Sequence, residues 1–176
     1  MIEELWQLRP DIRWSGVCFG HQIICRALGS KVEPSPGEVW ELAHTKLDLT
    51  DIGEKLFQTS RHIYLHQMHQ DHVVNAPSAS VSELLTSDMK VHVWGSTKKT
   101  PIQGVYIRER IFTSQGHLGY DADMVRMHIK ERIEKGSVKD VEAAEEAKET
   151  ADFEHDGLLV AGAILRFFHG DDVDIY

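Results

Sequence analysis

The spacing of apolar residues along the first two thirds of the chain predicts strands that alternate with helices. Residues 12–17 have the length and composition of a short strand, and Ile23, Ile24, Ala27 and Leu28 then fall on one helical face. Further strand-like runs, separated by Gly, Pro, Asn or Asp, occupy residues 46–49, 62–66, 91–94, 102–107 and 111–114. This alternation favours an α/β fold with an open, mainly parallel sheet flanked by helices.

The last third of the chain has a helical pattern. Asp121 or Asp123 can cap a helix that runs to about residue 135, and residues 141–151 are rich in Ala, Glu and Lys, which is typical of a solvated helix. A final apolar helix is predicted to dock on the core through Leu158, Ala161, Gly162, Leu165 and Phe168.

Composition indicates one globular domain over residues 1–176. Hydrophobic residues make up 41% of the 176 and charged residues 27%. Residues 1–135 carry 16 basic and 17 acidic side chains, a net charge of −1, whereas residues 136–176 carry 3 and 11, a net charge of −8. The acidity therefore belongs to the end of the chain, with residues 136–157 as an acidic solvated helical segment. No basic stripe is present, which argues against nucleic-acid binding.

The sequence also restricts the compartment and the cysteine chemistry. The longest apolar run, residues 158–165, is far shorter than the ~20 residues of a membrane span, and the acidic start does not read as a secretory signal. Cys18 and Cys25 are not in CxxC spacing, so neither a thiolate metal site nor a redox pair is favoured. We expect reduced thiols and a cytoplasmic protein, with Cys25 in the core.

Residues 16–22 read Gly-Val-Cys-Phe-Gly-His-Gln, the G-x-nucleophile-x-G pattern of a nucleophile elbow. In such an elbow a tight strand-to-helix turn exposes the nucleophile, and glycines at positions 16 and 20 avoid collisions between neighbouring backbone segments. The helix start favours a thiolate at Cys18, and the N–H of Phe19 can face an oxyanion. The alternative on spacing alone is a buried cysteine after a core strand.

A cysteine nucleophile needs a base, and the chain has 11 histidines. His117 follows an apolar strand and precedes a helix cap, which places it at the carboxyl end of a strand, where α/β folds build their sites. His66, His69 and His72 form a second group, which is interpreted as a loop lining the site. A metal site there would need a fourth ligand that the sequence does not identify.

Taken together, these residues resemble class I (triad-type) glutamine amidotransferases, in particular stand-alone members similar to the glutaminase domain of GMP synthetase and to plant gamma-glutamyl peptidases. The matching segments, which occur in the order found in that family, are residues 16–22, 26–32, 40–42, 66–71, 101–104, 115–117 and 155–157. The resemblance covers nearly the whole chain and implies a flavodoxin-like fold that lacks its first βα units.

The resemblance also implies roles. Cys18 corresponds to the nucleophile, His117 to the histidine that moves its proton, and Phe19 to the donor of one oxyanion N–H. The positions that match those holding the amino-acid end of the substrate are Gln22, Met68 and His69. The implied reaction is hydrolysis of glutamine or a gamma-glutamyl peptide through a thioester, without metal or organic cofactor.

Two departures from the family raise an alternative. The family's triad glutamate, two residues after the histidine, is replaced by Gly119; Asp121 and Asp123 are the nearest carboxylates, and both are better interpreted as helix caps. In addition, only 17 residues precede Cys18, so the resemblance leads us to expect that the loop supplying the second oxyanion N–H in that family is missing here. The alternative is a truncated gene product, or a non-catalytic remnant that binds a partner through an exposed sheet edge or its acidic tail. The sequence names neither a synthase partner nor a self-association mode.

Overall fold

A computed structural model of the chain describes residues 1–172 and 175. The helices are α1 Ile2–Leu8, α2 Phe19–Ala27, α3 Asp51–Phe57, α4 Ala122–Glu134, α5 Val141–Glu149 and α6 Gly157–His169. The strands are β1 Trp14–Val17, β2 Val32–Pro34, β3 Glu41–Leu49, β4 His62–His69, β5 Asp71–Val73, β6 His92–Ser96, β7 Gly104–Ile107 and β8 Ile111–Ser114. No helix within the described ranges combines the length and the apolar character needed to cross a bilayer.

The main sheet has six strands in the order β1-β8-β7-β6-β3-β4, with helices packed against it. The predicted α/β class is confirmed, but the expectation of a mainly parallel sheet needs correction. Among the described strands, β1 and β8 pair in parallel, and the other four neighbouring pairs are antiparallel. The reason lies in the short connections: three residues join β7 to β8, whereas a parallel crossover needs a dozen or more.

Residues 66–72, interpreted from the sequence as a loop, lie in two strands that are joined by a bend at Gln70. β4 extends to His69 and pairs with β3 from Asp48↔His62 to Glu41↔His69, and β5 pairs with β2. The last five residues of β4 are all buried, although they include His66, Gln67 and His69. Buried polar side chains on both faces of the strand hide the alternation that sequence analysis depends on.

The final helix docks through a different face from the one predicted. Val160, Ala163 and Phe167 of α6 are buried against the sheet. Leu158 is 89% exposed, and Leu165 is 59% exposed. Because α6 is apolar on both faces, helical periodicity finds two stripes and does not show which one meets the core.

Helices α4 and α5 are both capped by aspartates, and the cap of α4 is the one that the sequence predicts. Asp121 precedes α4, and its side chain accepts a hydrogen bond of 2.8 Å from the backbone N–H of Met124. Asp140 caps α5 in the same way through Ala143, and α5 buries Ala144 against the sheet. The Asp121 cap, four residues after His117, thereby fixes the start of α4.

The sheet curls so that the segment after β8 meets the outer edge of β4. The backbone N–H of His117 donates to the carbonyl oxygen of His66 at 2.8 Å. A Cβ on Gly116 would lie 2.7 Å from Gln67 Nε2 and 2.9 Å from Leu65 Cδ1, so a larger residue would require these two side chains to move. The curl brings the carboxyl ends of β1, β8 and β4 to one rim.

Candidate functional site

Cys18 lies in a strained turn between β1 and α2. It has φ 51° and ψ −105°, and its N–H donates to the Ser114 carbonyl oxygen at 2.8 Å. A Cβ on Gly16 would lie 2.4 Å from the carbonyl carbon of Gly20, so this glycine is required. A Cβ on Gly20 would meet no atom within 4 Å, so the expected need for glycine there is wrong. The predicted sharp turn is present, and the thiol is half-buried.

The surroundings of Cys18 both oppose and support ionisation. Burial raises the pKa of the thiol, and this is the largest influence. The Phe19 N–H, the Arg132 guanidinium of α4 and the Gln115 side chain lower it without cancelling that rise. The resting group at neutral pH is therefore the thiol, with donors and a cation in place to stabilise a thiolate.

His117 lies at the same rim of the sheet as Cys18. β1 pairs in parallel with β8 from Trp14↔Ile111 to Val17↔Ser114; Cys18 follows the first strand directly, and His117 comes three residues after the second. The His117 Nε2 atom is buried and has no hydrogen-bond partner among the described residues. His117 therefore lies at the sheet edge where the thiol is located, with this ring nitrogen unpaired among the described residues.

The His117 imidazole is neutral at physiological pH. Burial first, and the neighbouring His69 and His128 rings next, lower its pKa to about 4. A neutral imidazole can accept a proton, which a base requires. Together with the raised pKa of Cys18, this low pKa disfavours a pre-formed thiolate–imidazolium pair.

Tyr120 neighbours both groups. Its ring stacks on the His117 imidazole, with centroids 3.9 Å apart and planes tilted by 16°. Burial raises the pKa of the Tyr120 phenol, and the charge of an ionised Cys18 raises it further. Sequence analysis did not identify Tyr120, and its position three residues after His117 was the available signal.

A carboxylate is missing where the resemblance leads one to expect it. Among the described ion pairs, none includes His117. Gly119 is exposed, and a Cβ there would meet no atom within 4 Å. The Asp121 carboxylate is engaged at the start of α4, as predicted for a cap.

The predicted binding positions differ in their exposure to the site. Gln22 of α2 is 8% exposed, and its Nε2 donates to the Asp71 carbonyl oxygen at 2.8 Å and to Gln115 Oε1 at 3.1 Å. Met68 is 3% exposed, and its side chain packs in an apolar cluster. Gln22 thus borders the elbow, whereas Met68 can contribute only its backbone.

His69 is part of a buried polar network. Its Nε2 lies 3.1 Å from Glu41 Oε2, and its Nδ1 lies 3.0 Å from the Asp71 carbonyl oxygen. Thr100 Oγ1 at 2.8 Å and Gln103 Nε2 at 3.1 Å also donate to Glu41. Burial alone would raise the pKa of Glu41, but the donors, His69 foremost, hold it below its usual value. Sequence analysis did not predict this pairing.

The remaining candidates lie outside this constellation. Cys25 is 1% exposed, and burial raises its pKa to about 12, which confirms it as a core residue. His66 and His69 lie on β4 and His72 on β5; within residues 1–172 and 175, no group of three potential ligands is arranged to hold a metal ion.

Comparison with known proteins gives consistent matches. A family model described as glutamine amidotransferase class-I matches residues 1–132. A glutamine amidotransferase-like protein of Schizosaccharomyces pombe is 33% identical over 159 residues, which cover 90% of this chain and 58% of that protein. Gamma-glutamyl peptidase 2 of Arabidopsis thaliana is 28% identical over 138 residues, 77% of this chain and 50% of the peptidase. The chain thus spans little more than half the length of these relatives.

The fold has counterparts among solved structures. A glutamine amidotransferase from Thermotoga maritima superposes with a TM-score of 0.66 at 19% identity, over 98% of this chain and 66% of that one. At that identity the likeness concerns the fold, which matches the predicted α/β class.

Proposed function

Because the chain belongs to the class I glutamine amidotransferase family, we propose that it hydrolyses the side-chain amide of glutamine or the gamma-glutamyl bond of a small peptide. The second substrate class is supported by the likeness to a gamma-glutamyl peptidase. The single observation that carries the proposal is the strained elbow, which holds a half-buried thiol at the rim where His117 lies.

In the first step, Cys18 Sγ gives its proton to His117 Nε2 and attacks the side-chain carbonyl carbon of the substrate. The carbonyl oxygen becomes an oxyanion, which the Phe19 N–H stabilises. The low pKa of His117 keeps the imidazole unprotonated, and so able to accept this proton, over the neutral range.

In the second step, the tetrahedral intermediate collapses. His117 returns its proton to the leaving nitrogen, ammonia or a peptide amine departs, and a gamma-glutamyl thioester remains on Cys18. Water then gives a proton to His117 and attacks the thioester, which releases glutamate and restores the thiol. Every atom and proton is accounted for by substrate, water and these two residues, and the scheme uses neither metal nor organic cofactor.

Substrate binding is assigned to the residues around the elbow. Gln22, with 8% of its surface exposed beside Cys18, would hold the amino-acid end of the substrate together with the backbone of Met68 and His69 at the end of β4. The His69 side chain, engaged with Glu41 and the Asp71 carbonyl oxygen, would keep that strand end in place.

The proposed activity is weaker than that of a complete triad. A carboxylate partner fixes the imidazole tautomer and stabilises the imidazolium, and its loss from a serine triad costs about 10⁴ in rate. A cysteine–histidine pair transfers a more acidic proton, so we expect a smaller loss here.

A second candidate function is a binding module without turnover. It is favoured by one observation: the Cys18 pKa is raised and the His117 pKa is lowered, while no described carboxylate pairs with that imidazole. In this case the fold would bind a gamma-glutamyl ligand or a partner at the same rim without cleaving it.

Release of ammonia from glutamine, and of glutamate from glutathione, tests the proposal. We expect slow release that disappears in Cys18→Ala and persists in Cys25→Ala, which removes the other cysteine and serves as the matched control. Equal release by Cys18→Ala would overturn it. No release, combined with no labelling of Cys18 by a thiol-directed glutamine analogue, would favour the binding module.

A further inference from the structure

We infer that Tyr120 is a positioning residue whose ring, in place of a carboxylate, holds the His117 imidazole in its working orientation. The ring centroids lie 3.9 Å apart, and the planes differ by 16°, which is a face-to-face overlap. This inference rests on the proposed role of His117 as the base and names the group that orients it.

Tyr120 is also held by contacts with α4. Tyr120 also stacks on His128 of α4, with centroids 5.3 Å apart and planes tilted by 25°. It packs against the apolar cluster that contains Val125 and Ile129 and directly precedes the capping residue Asp121. Contacts with α4 therefore hold the tyrosine ring in place independently of its contact with His117.

The stack leaves Nε2 free for chemistry. An imidazole held by a carboxylate is fixed through one ring nitrogen, whereas a stacked ring is fixed by its face. The backbone of His117 is held separately by the carbonyl oxygen of His66, at 2.8 Å. The Nε2 atom stays buried and unpartnered among the described residues, as a proton acceptor must be before substrate binds.

The substitution of a ring for a carboxylate has an energetic consequence. The face of Tyr120 attracts an imidazolium through its quadrupole, but less strongly than a negative charge does. The other charged or titratable groups that face His117 are His66 and His69 of β4 and His128 and Arg132 of α4. None of these is negative, so the ring supplies the favourable contact that an imidazolium at position 117 can gain.

The test measures alkylation of Cys18 by iodoacetamide as a function of pH, with mass spectrometry of the peptide that bears residue 18. At neutral pH Cys18 is a thiol, and His117 takes its proton as the sulfur attacks the reagent, so we expect Tyr120→Leu to slow alkylation by about two- to fivefold. Tyr120→Phe keeps the ring and should alkylate at the parental rate. In strongly alkaline solution the thiol ionises without His117, so all variants should react alike.

Tyr64→Leu is the matched control, because Tyr64 stacks on His44 at 4.6 Å and 8° in the same manner. It should leave the Cys18 profile unchanged. A rate for Tyr120→Leu equal to the parent at neutral pH, or a loss for Tyr120→Phe as large as that for Tyr120→Leu, would overturn the inference. A loss that is the same at every pH would overturn it too, since it would indicate a general structural defect.

Two further measurements keep the inference testable if Tyr120→Leu fails to fold. Tyr120→Met provides an apolar side chain of similar reach without a ring and should give the same pH-dependent loss. In the parent chain, NMR should detect contacts between the ring protons of His117 and Tyr120, and their absence would overturn the inference. Alkylation needs no turnover, so a chain that fails to hydrolyse glutamine but shows the predicted profile would refute the proposed function alone.

Discussion

Two histidines at the same rim of the sheet have opposite surroundings. His69 is buried on β4, and its Nε2 lies 3.1 Å from the carboxylate of Glu41, which Thr100 and Gln103 also hydrogen-bond. His117 has no described carboxylate partner and instead stacks on Tyr120 at 3.9 Å. The chain therefore contains a carboxylate–histidine pair, but not at His117, the histidine proposed as the base.

The contrast separates a buried pair that stabilises the fold from the histidine proposed as the base. The Glu41–His69 contact joins directly opposed residues of β3 and β4, and its network satisfies buried polar atoms that would otherwise destabilise the fold. His117 keeps a buried, unpartnered Nε2, an arrangement that costs stability and leaves a proton acceptor available. If this difference between His69 and His117 holds, substitutions at the two histidines' partners should have different effects.

Removal of the carboxylate from the first pair should damage the fold. Glu41→Ala leaves His69, Thr100 and Gln103 without their shared acceptor, and we expect a loss of about 3–5 kcal/mol in the free energy of unfolding. Urea denaturation monitored by circular dichroism measures it. Glu38→Ala removes a glutamate from an exposed pair with Lys139 and should change little. Comparable losses in both variants would contradict a structural role for the buried pair.

A carboxylate placed near His117 should make its surroundings more like those of His69. A side chain at position 119 has open space, and an opposite charge near an imidazole raises its pKa by about 1–3 units. Gly119→Glu should therefore favour the thiolate–imidazolium pair and speed Cys18 alkylation at neutral pH by about tenfold or more.

Gly119→Gln is the control for this change, since it adds the same shape without the charge. It should alkylate at close to the parental rate. If the glutamate and glutamine variants reacted equally fast, the missing charge would not be what separates His117 from His69.

The sequence predicted where the reactive-site candidates lie, but not what each histidine contacts. The position of Cys18 in a tight turn and that of His117 after a strand were predictable, because both carry local spacing signals. The partner of each histidine was not: Glu41 and His69 are 28 positions apart and meet through strand register, and the Tyr120 stack depends on where α4 docks. The end of β4 and the docking face of α6 were predicted wrongly for a related reason. The pattern of polar and apolar residues does not show which side chains other elements bury.

Acid should destabilise the protein through histidines that lack a carboxylate. Burial foremost lowers the pKa of His66 to about 4 and that of His21 to about 3, below the unfolded value of about 6.5. Unfolded histidines therefore bind protons first, so stability is complete above pH 6.5 and falls as the pH drops toward 4. Each histidine contributes about 2 kcal/mol of loss at pH 5.

His66→Gln should reduce this acid dependence. Urea denaturation of the parent and the variant at pH 7 gives the packing cost of the change, and the same pair at pH 5 isolates the protonation effect. We expect the variant to lose about 2 kcal/mol less than the parent between the two pH values. An identical loss in both proteins would show that His66 does not resist protonation in the fold.

The smallest expected effect belongs to the carboxylate nearest to His117 in the sequence. Asp121→Ala removes the cap that accepts a hydrogen bond from the Met124 N–H, so thermal unfolding should show a loss of about 1 kcal/mol in the free energy of unfolding. Asp123→Ala, which removes a carboxylate that does not cap the helix, is the control and should cost less. Neither variant should alter the pH profile of Cys18 alkylation, because the Asp121 carboxylate serves the backbone of α4. If Asp121→Ala slowed Cys18 alkylation at neutral pH as much as Tyr120→Leu is expected to, His117 would depend on a carboxylate after all. His117 and His69 would then differ only in how far the imidazole lies from its carboxylate.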